Sequence, residues 1–266
     1  MPDPISSNEN RSPAKIFTAF AVTLPLMYYM VVLLHEWGHG TTAWLFGDKN
    51  SPFDIRYGGW FLMNCDEAVS YDRLLAEGHG LQAALIGISG FTVNAILFGL
   101  SLHFLSRRKT SGSVWALGAL FWSCILNWMA MFGYIPLNTF SVQGDVGRFV
   151  HGLQISPLWV FIPGTLLIGW ALVRLLRKEL IRVYVFAPIR TLAMKRVLLT
   201  ATLFFLFLFL FLFTRGYNPF TDSGAPQISQ ILAACSILLF PILLLVCDPS
   251  RSWVQQAIEE QEKTRR

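Results

Sequence analysis

The sequence predicts an all-α polytopic membrane protein, with about six transmembrane helices and a small β-hairpin in the loop after the first helix. Hydrophobic residues make up 54% of the 266 residues and charged ones only 14%, with 22 Phe, far from the make-up of a water-soluble domain. Six runs are apolar and long enough to cross a bilayer. The Lys and Arg residues gather in the short pieces between those runs, where topology signals sit.

Taken in order, residues 1–15 form a polar N-terminal tail, residues 16–247 an integral membrane domain, and residues 248–266 a polar C-terminal tail. The first run extends from Ile16 to about Phe46, about 45 Å as a helix. Its uncharged part, Ile16 to Leu34, is long for the core of a signal peptide and no small-residue cleavage site follows, so it reads as retained. In the next loop, Phe53 to Tyr57 and Trp60 to Asn64 flank Gly58-Gly59, which reads as a hairpin turn between short strands. Such an edge could receive an extended substrate as an added strand, or Trp60 and Phe61 could anchor it at the membrane interface.

The remaining runs are Leu81 to Leu105, Val114 to Pro136, the short Leu158 to Val173, Val197 to Thr214, and Ile228 to Cys247. Within the fifth, Phe204 to Phe213 alternates Phe and Leu, as a lipid-facing helix would. Residues 1–15, 105–113, 174–196 and 248–266 carry 2, 3, 7 and 4 Lys or Arg, against 3, 1 and 1 in the alternate pieces, which places both termini in the cytoplasm. This distribution also argues against nucleic acid as the partner, despite a pI near 9.2. Cys124, Cys235 and Cys247 fall in or beside apolar runs, leaving Cys65 alone in a loop, so neither a disulfide framework nor a C-x-x-C metal site is present.

The chemistry concentrates in His35-Glu36-Trp37-Gly38-His39, near the end of the first run. Residues four apart share a helix face, so His35 and His39 can turn imidazole nitrogens toward one metal ion. Glu36 lies about 100° round the helix, where a carboxylate can take a proton from water. It is the sole acidic residue within the apolar runs, and an unpaired carboxylate in hydrocarbon costs at least ~2.5 kcal/mol. A catalytic zinc site needs a third protein ligand. His103 lies at the wrong end of the second run; His79 and His151 sit in outer loops and could approach. Asp145, in Gly144-Asp145-Val146-Gly147-Arg148, is the stronger candidate, because it follows a third run parallel to the first and so emerges on the same face.

These residues resemble the site-2-protease-like intramembrane zinc metalloproteases over about residues 16–150. His35 to His39 matches that family's H-E-x-G-H. Gly90-Phe91-Thr92-Val93-Asn94 resembles its G-P-x-x-N with Phe91 at the proline, and Asp145 to Arg148, preceded by Pro136, is similar to its D-G-G-R. The resemblance implies that His35, His39 and Asp145 hold Zn2+, that Glu36 is the general base, and that Asn94 hydrogen-bonds the substrate carbonyl or oxyanion. It implies an endopeptidase acting on transmembrane or membrane-proximal segments of a substrate protein, with the lipid bilayer as the other partner. Thr41, Thr42, Ser89, Thr92 and Asn94 could line a water path to the site. The alternatives are a catalytically silent relative serving as a membrane-protein-binding scaffold, and a transporter using Glu36 and the histidines as a relay. The absence of any repeat between the halves counts against the transporter.

Overall fold

In a computed structural model, residues 12–62, 65–107, 113–187, 189–213 and 226–265 are described. The chain begins as helix α1, Pro13–Leu45, because Ser12 accepts a hydrogen bond from the Lys15 amide at 3.2 Å and Pro13 stands where a missing amide costs nothing. Gly47, at φ 83°, turns the chain out of it. A short α2, Tyr71–Ala76, leads into α3, Gly80–Leu105. Helix α4, Val114–Phe132, runs on into a π-helical turn over Gly133–Leu137. Then come α5, Asp145–Leu153; α6, Leu158–Arg174, with a second π turn over Leu175–Glu179; and α7, Leu180–Phe186. The remainder is α8, Leu192–Phe207; α9, Phe209–Phe213; α10, Gln227–Val246; and α11, Ser252–Arg265.

The core is the mutual packing of α1, α3 and α4, with α5 laid along α3. Indole N–H groups fix the crossings: Trp122 donates to the Phe20 carbonyl of α1 at 3.0 Å, and Trp128 to the Ile168 carbonyl of α6 at 3.0 Å. In an apolar setting each would otherwise be an orphaned donor. The close approach of α5 depends on Gly87 of α3, where a Cβ would lie 3.0 Å from both the Asp145 carbonyl oxygen and the Arg148 Cβ.

Five helical segments among the described residues are long and apolar enough to cross a bilayer: Pro13–Leu45, Gly80–Leu105, Val114–Leu137, Leu158–Phe186 and Gln227–Val246. The all-α reading and compatibility with an integral membrane protein follow. The expected count of six does not. The Val197 to Thr214 run divides at Leu208 into α8 and α9, and Thr214 lies outside the described residues. Successive Phe side chains crowd this stretch, and the break sets the Phe209 ring against Tyr28 of α1, with centroids 5.5 Å apart.

The β-hairpin is corrected as well. Among the described residues no strand forms about Gly58-Gly59; instead Arg56 and Asp66 make one antiparallel bridge, with N···O distances of 2.8 and 3.0 Å, and Trp60–Leu62 forms a single 3-10 turn. Met63 and Asn64 of the expected second strand lie outside the described residues. The physical reason is competition for backbone groups: the Lys49 ammonium donates to the carbonyls of Asp54 and Glu67, and the Asp66 side chain accepts from the Ala68 amide at 2.6 Å. At the other end, residues 252–265 of the polar tail form α11, whose Val254 and Ile258 are buried.

Candidate metal centre

His35 and His39 occupy one face of α1 and are 5% and 1% exposed, while Asp145 is the first residue of α5 and is 5% exposed. The turn at Gly144, φ 85°, starts α5 there and puts the carboxylate at the helix N-terminus. Their ligand atoms converge. Asp145 Oδ2 lies 3.0 Å from His35 Nε2 and 3.1 Å from His39 Nε2, and the two nitrogens are 3.1 Å apart. Among the described residues this is the group of three His, Cys, Asp or Glu side chains so disposed.

The far nitrogens decide the tautomers. His39 Nδ1 lies 2.7 Å from the Ile86 carbonyl, which only accepts, so that nitrogen carries the proton. His35 Nδ1 lies 2.5 Å from Asn94 Oδ1. The Asn94 amide is oriented in turn: its Nδ2 donates to Asn127 Oδ1 at 2.8 Å, and Asn127 Nδ2 donates to the Ser123 carbonyl at 2.8 Å. One backbone carbonyl thus sets the direction of the whole chain of hydrogen bonds, and His35 donates through Nδ1.

With Nδ1 committed as donor, each ring in its neutral form presents an Nε2 lone pair toward the other ring and toward a carboxylate oxygen. A proton on one nitrogen would join a single pair. Protons on both would set two imidazoliums 3.1 Å apart over one carboxylate. A metal cation satisfies all three atoms at once. Zinc in a tetrahedron, with N and O ligands at about 2.0–2.1 Å, sets its ligand atoms about 3.3 Å apart, close to the 3.0 to 3.1 Å edges found. The residues fit a zinc ion.

Glu36 is 8% exposed, and its Oε2 has no hydrogen-bond partner among the described residues. The loop after α1 closes over this region: Glu67, 6% exposed, pairs with Arg148 of α5 at 3.0 Å, and the guanidinium lies 3.8 Å above the Tyr71 ring centroid. Burial, reinforced by the nearby Glu36 carboxylate, pushes the Cys65 thiol up to about 12, so it offers no thiolate near neutral pH.

Among the other sequence candidates, Asn94 orients His35 with its oxygen and reaches Asn127 with its nitrogen, whereas the resemblance assigned it to the substrate. The hydroxyls of Thr42, Thr92 and Ser89 return to carbonyls of their own helices. His79 lies beside Glu77 at 3.8 Å, and the His103 ring packs on Phe104. Sequence reasoning missed Asn127, Glu67 and Tyr134. The Tyr134 hydroxyl lies 2.9 Å from His35 Nε2, aimed there by the π turn. Its one sequence signal was its place two residues before Pro136.

Truncating Asn127 to alanine should free Asn94 and loosen the His35 ring without touching a ligand. Metal affinity is expected to fall roughly 10- to 100-fold, measured by competition with a chromogenic chelator.

Compared with protein-family models, with curated proteins and with solved structures, the chain matches none.

Proposed function

We propose that the chain is an intramembrane zinc endopeptidase, similar to site-2 proteases, that cleaves a transmembrane or membrane-proximal segment of another protein. One observation carries this reading: the Nε2 atoms of His35 and His39, on a helix long enough to span, and Oδ2 of Asp145, at the start of α5, converge within 3.1 Å of one another, and the neighbouring Glu36 carries a buried carboxylate oxygen with no partner among the described residues.

In this reading His35 Nε2, His39 Nε2 and Asp145 Oδ2 hold the zinc. When bound, zinc polarises the scissile carbonyl and acidifies water. Glu36 takes the proton from the attacking water and delivers it to the leaving amine nitrogen as the C–N bond breaks, while the hydroxyl oxygen stays on the carbonyl carbon. Its unpartnered oxygen has no competing hydrogen bond to surrender first. Asn94 and Asn127 act as positioning residues, keeping the His35 lone pair directed inward. The Lys and Arg distribution adds a cytoplasmic location for both termini, which requires that α8 and α9 together complete a further crossing.

The test is cleavage of fluorogenic transmembrane peptides by the full chain in liposomes. Glu36→Gln should slow cleavage about 10²- to 10⁴-fold and leave bound zinc unchanged. Undiminished cleavage would refute the base. A native chain that binds zinc and cleaves nothing would favour the scaffold.

A further inference from the structure

Helices α3 and α6 each pack on α4 and leave between them a groove of about 460 Å³, lined by none of the three metal-facing residues. Ala95, Phe98 and Gly99 of α3 stand on one side, Leu167 and Ile168 of α6 on the other, and Ile135 of the π turn lies between, so the walls are apolar. A Cβ at Gly99 would meet no described atom within 4 Å, whereas one at Gly164 would lie 2.8 Å from Ile135. The groove is therefore open beside α3 and closed at its inner end. From Gly164 to Arg174 it follows α6 for about 15 Å, half of a ~30 Å hydrocarbon core and thus the depth of one leaflet.

The outer end of the groove is basic, lined by Arg174, His103 and Ser106. The Ser106 hydroxyl is committed to the His103 carbonyl at 2.7 Å, which leaves Arg174 as the fixed charge. Residues five apart stand about 140° apart around an α-helix. The π turn over Leu175–Glu179 instead brings the Glu179 carboxylate back to Arg174, with Nε 3.4 Å from Oε1. Arg182 takes the other carboxylate oxygen at 2.7 Å. One buried carboxylate thus answers two guanidiniums, and one positive charge is left over where an apolar groove opens. Only Nε of Arg174 is engaged among the described residues, and its guanidinium lies 5.7 Å from the Trp170 ring centroid.

The geometry points to a binding site for an anionic phospholipid, with one acyl chain in the groove and the headgroup phosphate on Arg174. Charge decides between this occupant and a transmembrane helix. The basic end of the groove lies where α3 and α6 lead into the Lys- and Arg-containing pieces 105–113 and 174–196, the side that the charge distribution gives to the cytoplasm. A helix crossing the bilayer carries its own Lys and Arg on that side and would be repelled. Basic pockets between membrane helices on the same side receive anionic headgroups. The lipid site is separate from the proposed metal centre and does not depend on it.

The test uses the full chain in detergent and a phosphatidylglycerol carrying a diazirine in one acyl chain. Illuminated with the native protein, this probe should label the α3 and α6 residues that line the groove. The same probe with a phosphatidylcholine headgroup should bind about 5-fold less tightly, the worth of one basic residue near a membrane surface. Arg174→Gln should erase that preference while Glu179 keeps its pair with Arg182. Gly99→Leu, which puts a side chain into the open part of the groove, should abolish labelling there by either probe. Label confined to other surfaces of the native protein would overturn the site, a result that does not depend on how either variant folds. Equal affinity for the two headgroups would overturn the anionic lipid, and loss of the label to an equimolar transmembrane peptide would give the groove to a helix instead.

Discussion

Replacing His39 with alanine is expected to abolish stoichiometric zinc binding by the purified protein. His39 is the more completely buried of the two imidazoles, at 1% exposure, and its Nδ1 proton is committed to the Ile86 carbonyl, which holds its Nε2 toward Asp145 Oδ2. A structural-type zinc site is worth on the order of 10 kcal/mol in peptides, so one of three ligands carries about 3 kcal/mol, roughly a 200-fold loss of affinity. The variant also leaves His35 and the Asp145 carboxylate facing each other at 3.0 Å in a buried pocket. A proton can join that pair, so the helices should still assemble, and metal loss should be separable from unfolding. Zinc titration of the apo-protein, with circular dichroism to follow helix content, checks both parts. Unchanged zinc affinity in His39→Ala would remove this residue from the site.

Gly90→Ala is expected to damage the same centre without altering any ligand. A Cβ at Gly90 would press on His39 Nε2 and lie 2.7 Å from His39 Cδ2 and 2.8 Å from His35 Cε1. Both rings would have to swing, and both are tethered at Nδ1. Overpacking of this kind costs about 1–3 kcal/mol, which corresponds to roughly a 5- to 150-fold loss of metal affinity if the rings bear it. A Cβ at Gly99, on the same helix, would meet no described atom within 4 Å, so Gly99→Ala is the matched control and should bind metal normally. Equal affinities in the two variants would mean that α3 does not press on the histidine rings.

The contrast between these glycines explains which parts of the site were legible in the sequence. The histidine pair and Glu36 depend on spacing within one helix, and four-residue spacing can be read directly. Gly90 could be noticed as part of a motif, yet its purpose lies in ring atoms contributed by another helix. Asp145 lies 106 positions from His39, and it was singled out by the parallel direction of the first and third runs together with a family-like pattern, neither of which encodes the contact itself. Asn94 was visible, but its use depends on Asn127, 33 positions further along, and on the Ser123 carbonyl beyond that. Tyr134 was hidden because a π turn shifts the facing of a helix in a way that 3.6-residue periodicity does not encode.

The fold shows the same division. Apolar composition anticipated long helices, since hydrocarbon demands internally satisfied backbones. It could not anticipate the break at Leu208, because the Phe and Leu run around it contains no Gly, Pro or polar stop. Gly58-Gly59 is a sound turn signal taken alone. It lost to Lys49, outside the window a hairpin pattern inspects, whose ammonium holds the carbonyls of Asp54 and Glu67.

The proposed centre is a metal ion held by His35, His39 and Asp145 inside a membrane-spanning bundle. Metal analysis of the detergent-purified full chain, native and Asp145→Ala side by side, tests it most directly. About one zinc per native chain, lost in Asp145→Ala, is the predicted result; a native chain without zinc that also fails to take it up when zinc is supplied would contradict the account.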